Sequence, residues 1–382
     1  MLHRAVGRAA TVADVSLRDE ILEQPDALRR QLASSAEAID GLAARLREEP
    51  VDNVVVAARG TSDHAAIYAQ YLLGALNRLP VGLATPSLVS IYGVEPRFER
   101  ALVVGISQSG ASPDVVGVVA AARRQGAATL AITNEPSSEL GGTAEFTIDL
   151  AAGPERAVAA TKTYTTSLLA IARLALALES PAGWEGATGR PDDAEPIELE
   201  PKALGAALDG LPAAIEQVLR QEPAIKALAG ELAAAEGGLD RCVIVGRGFE
   251  YATAREWALK LKELGRVFAD PYSAADFLHG PIALVQPGIP VLVLAPAGAA
   301  ANGVIDLLRG LRERDVDTVV VSDVEETRAM GRWSIELPPG IPEPLRPIVS
   351  IVPAQLFAYY LTLARGLDPE QPRYLSKVTR TT

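Results

Sequence analysis

Short apolar runs alternate with amphipathic segments along most of this chain. The valine-rich run at residues 53–57 is followed by a helical pattern over 64–76, and the run at 103–106 is followed by a second helical pattern. Further strands are expected at 79–83 and 128–133. Apolar runs that end in turn residues are typical of buried parallel strands. The alternation therefore predicts an α/β fold with doubly wound parallel sheets.

The sequence also repeats itself at one fixed offset. Residues 52–60 (DNVVVAARG) align with 240–248 (DRCVIVGRG), and residues 103–110 (VVGISQSG) align with 291–298 (VLVLAPAG), both without a gap. One offset that serves two separate strand–loop units predicts two similar αβα domains related by duplication.

Composition and periodicity divide the chain into five expected segments. Residues between the two domains are rich in Pro, Gly, Asp and Glu and have little periodicity, which is typical of a linker. The segments are an N-terminal helical segment (1–48), a first domain (49–180), a linker (181–202), a second domain (203–365) and a C-terminal tail (366–382).

Charge and cysteine content exclude several classes of partner. The 36 basic and 48 acidic residues give a net charge of −12 without a basic cluster, which argues against nucleic acid and anionic membranes. Cys242 lies in an apolar run and is expected in the core, and no metal-ligand spacing is present, so no metal site is expected. No unbroken membrane-spanning stretch or signal core is found, which predicts a cytoplasmic protein.

A serine-rich loop follows the apolar run at 103–106. Ser107, Gln108 and Ser109 precede Gly110, and Ser112 followed by Pro is typical of a helix N-cap. Free backbone N–H groups, the helix dipole and serine hydroxyls can together bind a phosphate. The alternative is an ordinary capped turn, because Ser, Gly and Pro occur in all such turns.

The second copy of this loop favours the phosphate interpretation. Ala295 and Ala297 stand where Ser107 and Ser109 stand in the first copy. Only the first domain has kept hydroxyl donors at these positions, which predicts one phosphate site in the first domain.

The helical pattern at 251–266 carries a stripe of charge. Glu256, Lys260 and Glu263 are spaced at i, i+4 and i+7, which places them within about 60° of one another on a helix. One interpretation is a routine surface Glu–Lys pair. The other is a partly desolvated carboxylate beside an ammonium group, which can act as a general base.

Three further stretches could take part in chemistry. His279 precedes Gly-Pro in an expected loop, where its ring can titrate near neutral pH, although a lone histidine is more often structural. Residues 155–163 form a hydroxyl-rich loop before a helix, which could also be a simple cap. The tail at 371–377 is less polar than a disordered tail, so we expect it to be tied down.

In this combination and order the motifs resemble the SIS (sugar isomerase) domain family. The resemblance extends from about residue 17 to residue 379 and is greatest to the tandem-SIS isomerase half of glucosamine-6-phosphate synthase and to the alternative glucosamine-6-phosphate deaminases. The motifs that carry it are GTS at 60–62, SQSG at 107–110, ATK at 160–162, EWALKLKE at 256–263, HGP at 279–281 and QPRYLSK at 371–377. It implies two tandem doubly wound αβα (SIS) domains.

The resemblance also implies roles for individual residues. Residues of the phosphate-binding pocket would be Gly60, Thr61, Ser62, Ser107, Gln108, Ser109, Ser112, Ala160 and Thr161. Glu263 would move a proton between C1 and C2 of the open-chain sugar, with Lys260 and Glu256 beside it. His279, lent by the other subunit of a homodimer, would open the sugar ring, and Lys377 would reach the sugar carbonyl. Such chemistry requires a base and electrophilic help at oxygen, so no metal or cofactor is expected.

Departures from the synthase pattern narrow the expected activity. Residue 2 is Leu, where a glutaminase domain would begin with a nucleophilic Cys, so glutamine hydrolysis is not expected. Arg59 stands where the synthase usually has Cys and the deaminase-like relatives often have Arg, and Asp276 and Leu278 also depart from the family pattern around His279.

The prediction is an amino-sugar-phosphate deaminase/isomerase that converts glucosamine 6-phosphate to fructose 6-phosphate and ammonia. Three alternatives stay open: an ammonia- or partner-dependent synthase isomerase, a fructosyl-amine-6-phosphate deglycase, and a non-catalytic sugar-phosphate-binding regulator.

Overall fold

The structure, a computed structural model, describes residues 16–178, 200–235 and 238–377. Most of the expected linker and the ends of the N-terminal segment and the tail lie outside the described residues. Two five-stranded sheets, parallel throughout, dominate the fold.

In the part of the chain that the structure describes, three helices precede the first sheet: α1 (Leu17–Leu22), α2 (Gln24–Leu32) and α3 (Glu37–Glu48). Ser16 and Asp19 form a capping box at the start of α1, and Pro25 lies in the first turn of α2, where its missing N–H has no cost.

The first sheet has the strand order β2-β1-β3-β4-β5. Its strands are β1 (Asn53–Ala57), β2 (Val81–Leu83), β3 (Ala101–Ile106), β4 (Ala128–Thr133) and β5 (Phe146–Asp149). The helices around it are α4 (Thr61–Asn77), α5 (Ser87–Ser90), α6 (Pro113–Arg124), α7 (Glu139–Thr143) and α8 (Lys162–Ala177). Strands β3 and β4 are buried along their whole length, as expected for central parallel strands with helices on both faces.

The second sheet repeats this arrangement. Three helices lead into it: α9 (Pro201–Leu208), α10 (Leu211–Leu219) and α11 (Glu222–Ala234). Its strands are β6 (Arg241–Gly246), β7 (Phe268–Ser273), β8 (Val291–Leu294), β9 (Thr318–Ser322) and β10 (Trp333–Glu336). The helices between and after the strands are α12 (Glu250–Glu263), α13 (Ala274–Leu278), α14 (Ala301–Glu313), α15 (Glu325–Arg328) and α16 (Pro347–Ala364), with 3₁₀ turns at Pro281–Leu284 and Glu343–Leu345.

The order β10-β9-β8-β6-β7 is the order of the first sheet read from the opposite edge. The predicted fold class is therefore confirmed. In such sheets ligands bind beyond the carboxyl ends of the strands where the order reverses, which in the first sheet is between β1 and β3.

Helix α16 lies at the centre of the molecule. The segment Glu343–Ala364 is long and apolar enough to span a membrane, but 89% of its apolar window is buried inside the protein, as in the core helix of a globular domain. Pro353 lies inside α16, and the helix continues on both sides of it. Packing against α8, α11 and α12 holds the helix on several sides.

Several elements differ from the sequence expectation. The helix predicted at 251–266 ends at Glu263, and Arg266 adopts a left-handed backbone with φ of 55°. The next residues form edge strand β7, where Pro271 is tolerated. Lys202, expected in the linker, lies in α9, because Glu200 accepts a hydrogen bond from the Ala203 N–H and caps that helix.

Candidate active site

The serine-rich loop joins β3 to α6 at the carboxyl edge of the first sheet. Its turn is made by Gly110, which has a φ of 60°. A Cβ atom at this position would lie 1.9 Å from Oγ of Ser138, so the loop needs glycine for both backbone and space. The loop is thus packed closely against the segment that follows β4.

Two hydroxyls of this loop accept hydrogen bonds from backbone N–H groups of the same loop. The N–H of Gly110 lies 3.2 Å from Oγ of Ser107, and the N–H of Ala111 lies 3.4 Å from Oγ of Ser109. Ser112 is the N-cap residue of α6, as predicted, but its side chain makes no capping hydrogen bond. Because the hydroxyl of this N-cap serine does not bond to the helix N-terminus, the interpretation of the loop as an ordinary capped turn is weakened.

Arg59 ties this loop to the turn after β1. Its Nε lies 2.7 Å from Oδ2 of Asp114, whose side chain is only 2% exposed, in the first turn of α6. Gly60, with a φ of 56°, then starts α4, whose first residues are Thr61 and Ser62. The two loops that flank the reversal of strand order are therefore held together by a charged hydrogen bond.

In the second sheet, the corresponding loop joins β8 to α14, and carboxylates of the same chain accept hydrogen bonds from its backbone N–H groups. The N–H of Ala297 donates to Oδ1 of Asp323 (2.8 Å), and the N–H of Ala299 donates to Oε2 of Glu343 (2.8 Å). A Cβ at Gly298 would lie 2.4 Å from that Glu343 oxygen. Two internal acids thus take the place that an external anion would need.

The charged stripe of α12 is buried rather than exposed. Glu256 is 0% and Lys260 1% exposed, and only Glu263, at 22%, reaches solvent. Nζ of Lys260 lies 3.3 Å from Oε1 of Glu256 and 2.6 Å from Oε2 of Glu263. The interpretation as a surface Glu–Lys pair is therefore wrong.

Burial and charge oppose each other at Lys260. Burial alone lowers the pKa of its ammonium group, but the charges of Glu256 and Glu263 raise it, and the net pKa is raised. Lys260 is therefore a fixed positive charge between two carboxylates.

Helix α4 of the first domain contacts the charged residues of α12. The Thr61 hydroxyl donates to Oε1 of Glu256 (3.1 Å) and accepts from Nζ of Lys260 (3.2 Å). His64 is buried, and its Nδ1 lies 2.7 Å from Oε2 of Glu256. No role for His64 was predicted from the sequence; its spacing of three residues from Thr61, on the same face of a helix, was the available signal.

A second buried carboxylate holds the C-terminal tail. Nζ of Lys377 lies 3.0 Å from Oε2 of Glu155, which is completely buried and also accepts hydrogen bonds from the N–H groups of Thr161 and Thr163. Burial raises the pKa of Glu155, but Lys377 and these hydrogen bonds lower it, and the net pKa is lowered. The tail is tied down as expected.

The remaining residues of the hydroxyl-rich loop lie beside this carboxylate. Thr161 is the N-cap residue of α8, and its Oγ1 is buried without a partner among the described residues. Ala160, just before it, is partly exposed. The Thr161 hydroxyl is therefore unused by the described part of the protein.

His279 lies apart from these groups. It is exposed in the turn that follows the short helix α13, which ends at Leu278, so it lies outside the core as predicted. Its ring makes no hydrogen bond or ion pair with any residue in the described ranges. A contribution of His279 to a site on another subunit stays a prediction.

The structure thus joins some predicted residues directly and others indirectly. One continuous network of hydrogen bonds and ion pairs connects Thr61, Glu256, Lys260 and Glu263. The loop at 107–112 is connected to it through Arg59 and the start of α4; among residues 16–178, 200–235 and 238–377, no direct hydrogen bond joins that loop to Glu263. No cluster of three metal-ligating side chains occurs in the same ranges.

Comparison with known proteins identifies the two repeats. The model of the SIS domain matches residues 49–177 and 239–365. The glutamine–fructose-6-phosphate aminotransferase [isomerizing] of Gloeobacter violaceus is 36% identical over 365 residues, which is 94% of this chain and 57% of that relative. The chain therefore spans little more than half the length of that aminotransferase.

Solved structures agree with this comparison. A proposed phosphosugar isomerase from Silicibacter pomeroyi DSS-3 is 32% identical, with a TM-score of 0.77 over 92% of this chain and 99% of that one. The C-terminal domain of glucosamine–fructose-6-phosphate aminotransferase from Francisella tularensis has the same fold, with a TM-score of 0.79, 24% identity and coverage of 96% and 100%. The chain belongs to the SIS domain family, and its two repeats are homologous to the isomerase half of glutamine–fructose-6-phosphate aminotransferase.

Proposed function

We propose that this protein is an amino-sugar-phosphate deaminase/isomerase that converts glucosamine 6-phosphate and water to fructose 6-phosphate and ammonia. The observation that carries the proposal is the hydrogen-bond network that runs from Thr61 through Lys260 to Glu263. It places the partly exposed carboxylate of Glu263 beside a fixed positive charge and next to the first domain.

In this proposal the phosphate lies in the loop of Ser107, Ser109 and Ser112 at the N-terminus of α6, where hydroxyl and backbone N–H groups can donate hydrogen bonds to it. Glu263 takes the proton from C2 of the open-chain sugar and returns it to C1. The C1 carbonyl becomes a hydroxyl and the C–N bond at C2 becomes an imine, which water hydrolyses to the ketone with release of ammonia.

The other residues support this proton transfer. Lys260 orients Glu263, because the ammonium lies 2.6 Å from one carboxylate oxygen. Lys377 on the tail polarises the sugar carbonyl, and His279 from a second copy in a cytoplasmic homodimer opens the ring. These roles of Lys377 and His279 rest on the family resemblance.

The direct test is incubation of purified protein with glucosamine 6-phosphate, with ammonia and fructose 6-phosphate measured together. Equal amounts of both products are expected. Absence of both products with this sugar and with galactosamine 6-phosphate would refute the proposal.

A second candidate is the synthase direction, in which ammonia comes from solution or from a partner protein. The 36% identity to an aminotransferase of nearly twice the matched length supports it. Incubation with fructose 6-phosphate and ammonium salt, with glucosamine 6-phosphate as the product measured, distinguishes this candidate from a deaminase that works only in the forward direction.

A further inference from the structure

A charged pair lies at the start of helix α6, beside the proposed phosphate loop. Nε of Arg59 lies 2.7 Å from Oδ2 of Asp114, which belongs to the first turn of α6. The two side chains differ in exposure, at 48% for Arg59 and 2% for Asp114. The negative end of the pair is therefore buried in the protein, and the positive end reaches the solvent.

The guanidinium group of Arg59 has donors that the described part of the protein does not use. Asp114 accepts from Nε. In residues 16–178, 200–235 and 238–377, neither Nη1 nor Nη2 of Arg59 donates a hydrogen bond. A guanidinium that is held at Nε can still present two N–H groups side by side, and this pair matches two oxygens of a phosphate.

The start of α6 offers few N–H groups of its own to a phosphate. Pro113, its first residue, has no N–H group, and the N–H of Val115 donates to Oδ1 of Asp114 at 3.0 Å. The Asp114 carboxylate also adds negative charge at this end of the helix. A phosphate bound here therefore needs a positive group to offset that charge, and Arg59 lies next to it.

The second copy of the repeat lacks this charged pair. At the offset of the repeat, Arg247 corresponds to Arg59 and Asn302 corresponds to Asp114. Nη1 of Arg247 fills the space that a Cβ at Gly303 would need, so its guanidinium lies against α14. Of the two repeats, only the one whose loop carries serine hydroxyls pairs the arginine with an acid at this position of the helix.

We propose that Arg59 binds the substrate phosphate directly and makes the site selective for a dianionic ester. Serine hydroxyls donate hydrogen bonds to tetrahedral esters with one negative charge or with two, whereas a fixed guanidinium attracts the dianion more strongly. Asp114 is then a positioning residue, because it acts by holding Nε of Arg59. This inference rests on the phosphate site of the proposed function, the loop at 107–112.

The test compares two esters that cannot react. Glucitol 6-phosphate and glucitol 6-sulfate are open-chain compounds without a carbonyl group, so binding is measured without turnover. At about pH 7.5 the phosphate carries close to two negative charges and the sulfate carries one. We expect calorimetry on the wild type to give a Kd for the phosphate at least about tenfold lower than for the sulfate. Equal Kd values, or no binding of either ester, would overturn the proposal.

Arg59→Gln separates a phosphate contact from a purely structural contact. Its amide can still donate a hydrogen bond to Asp114, but it carries no charge. We expect the Kd for the phosphate to rise at least about tenfold and that for the sulfate to rise no more than about a third as much, because half the charge gives half the interaction energy. If Arg59 only holds the loop in place, Arg59→Gln should bind both esters as the wild type does, and that result would refute the phosphate contact.

Two further variants complete the comparison. Arg59→Lys keeps the charge without the planar pair of N–H groups, so it should recover part of the loss for the phosphate. Arg247→Gln removes the corresponding exposed charge of the second repeat and is the matched control, for which both Kd values should stay within about twofold of the wild type. An equal rise of the phosphate Kd in Arg247→Gln would indicate a general effect of surface charge and contradict a contact with Arg59.

Turnover of glucosamine 6-phosphate separates this inference from the proposed function. If the sugar is deaminated while Arg59→Gln binds both esters as the wild type does, only the role of Arg59 is refuted. If the sugar is not deaminated, but the wild type prefers the phosphate ester and Arg59→Gln loses that preference, the proposed function fails and the role of Arg59 is supported.

Discussion

Nδ1 of His64 lies 2.7 Å from Oε2 of Glu256, and this contact joins helix α4 of the first domain to helix α12 of the second. From Glu256 the chain of contacts continues through Lys260 to Glu263, at 3.3 and 2.6 Å. The orientation of the proposed base therefore depends on a residue from the other domain.

Replacement of His64 tests this dependence. His64→Ala leaves one oxygen of the buried Glu256 carboxylate without its partner, so we expect the free energy of unfolding to fall by about 1–3 kcal/mol. We also expect kcat to fall by up to about 100-fold, because small displacements of a catalytic group are costly. Denaturant unfolding and steady-state kinetics measure the two effects.

His64→Asn is the matched control, because its amide can still donate a hydrogen bond to Glu256. It should recover part of both losses. If His64→Ala is as stable and as active as the wild type, the contact has no energetic role.

Glu263→Gln should stop proton transfer while substrate binding is kept. We expect kcat to fall at least about 100-fold, the range typical of a lost general base. Exchange of the C2 proton with deuterated water is the appropriate measurement, because it reports the step itself.

Glu250→Gln provides the comparison for Glu263→Gln. Glu250 is a buried carboxyl on the same helix whose pKa burial raises, so an amide mimics its protonated form. This variant should leave exchange within about threefold of wild type. A regulator without turnover predicts no exchange in any of the three proteins.

The ion pair between Glu155 and Lys377 should make the tail sensitive to acid. The pKa of Glu155 in the folded state lies below its ordinary value of 4.5, so protonation favours the unfolded state. The stabilisation is complete above pH 4.5 and is lost as pH falls through the lowered folded-state pKa. The difference in unfolding free energy between wild type and Glu155→Gln should therefore shrink below pH 4.5.

Lys377→Met removes the same pair from the other side and should behave as Glu155→Gln does. Hydrogen exchange of residues 371–377 should increase in both variants at pH 7. A difference in unfolding free energy that does not change with pH would argue against a charged pair.

The double variant Ser107→Ala/Ser109→Ala gives the first loop the residues of the second, Ala295 and Ala297. Two hydrogen-bond donors to a charged phosphate are lost, so we expect KM for the sugar phosphate to rise at least about tenfold. Stability should fall by no more than about 1–3 kcal/mol, because each substitution removes one hydroxyl that accepts a hydrogen bond from an N–H group of the same loop. An unchanged KM would exclude these hydroxyls as phosphate ligands.

The sequence predicted the local features of this protein and missed those that depend on distant contacts. Four of the five strands of the first sheet, all except β5, followed from short-range pattern, as did the N-cap at Ser112 and the spacing of Glu256, Lys260 and Glu263. The burial of that stripe did not, because it depends on α4, whose His64 is 192 residues away from Glu256.

The tail shows the same limit. Its composition indicated that it is held, but Glu155, its partner, lies 222 residues earlier and was predicted only as part of a hydroxyl-rich loop. Pairing between a buried carboxylate and a distant lysine has no signature in either segment alone.

The carboxylates of Glu343 and Asp323 in the second loop also bear on the number of sugar phosphate molecules that one chain can bind. Since one half of the duplicated chain supplies its own negative groups, a titration with sugar phosphate should saturate at one molecule per polypeptide at this pair of loops. In the proposed function the two halves are therefore not interchangeable, because the first domain would bind the phosphate and the second would supply Glu263.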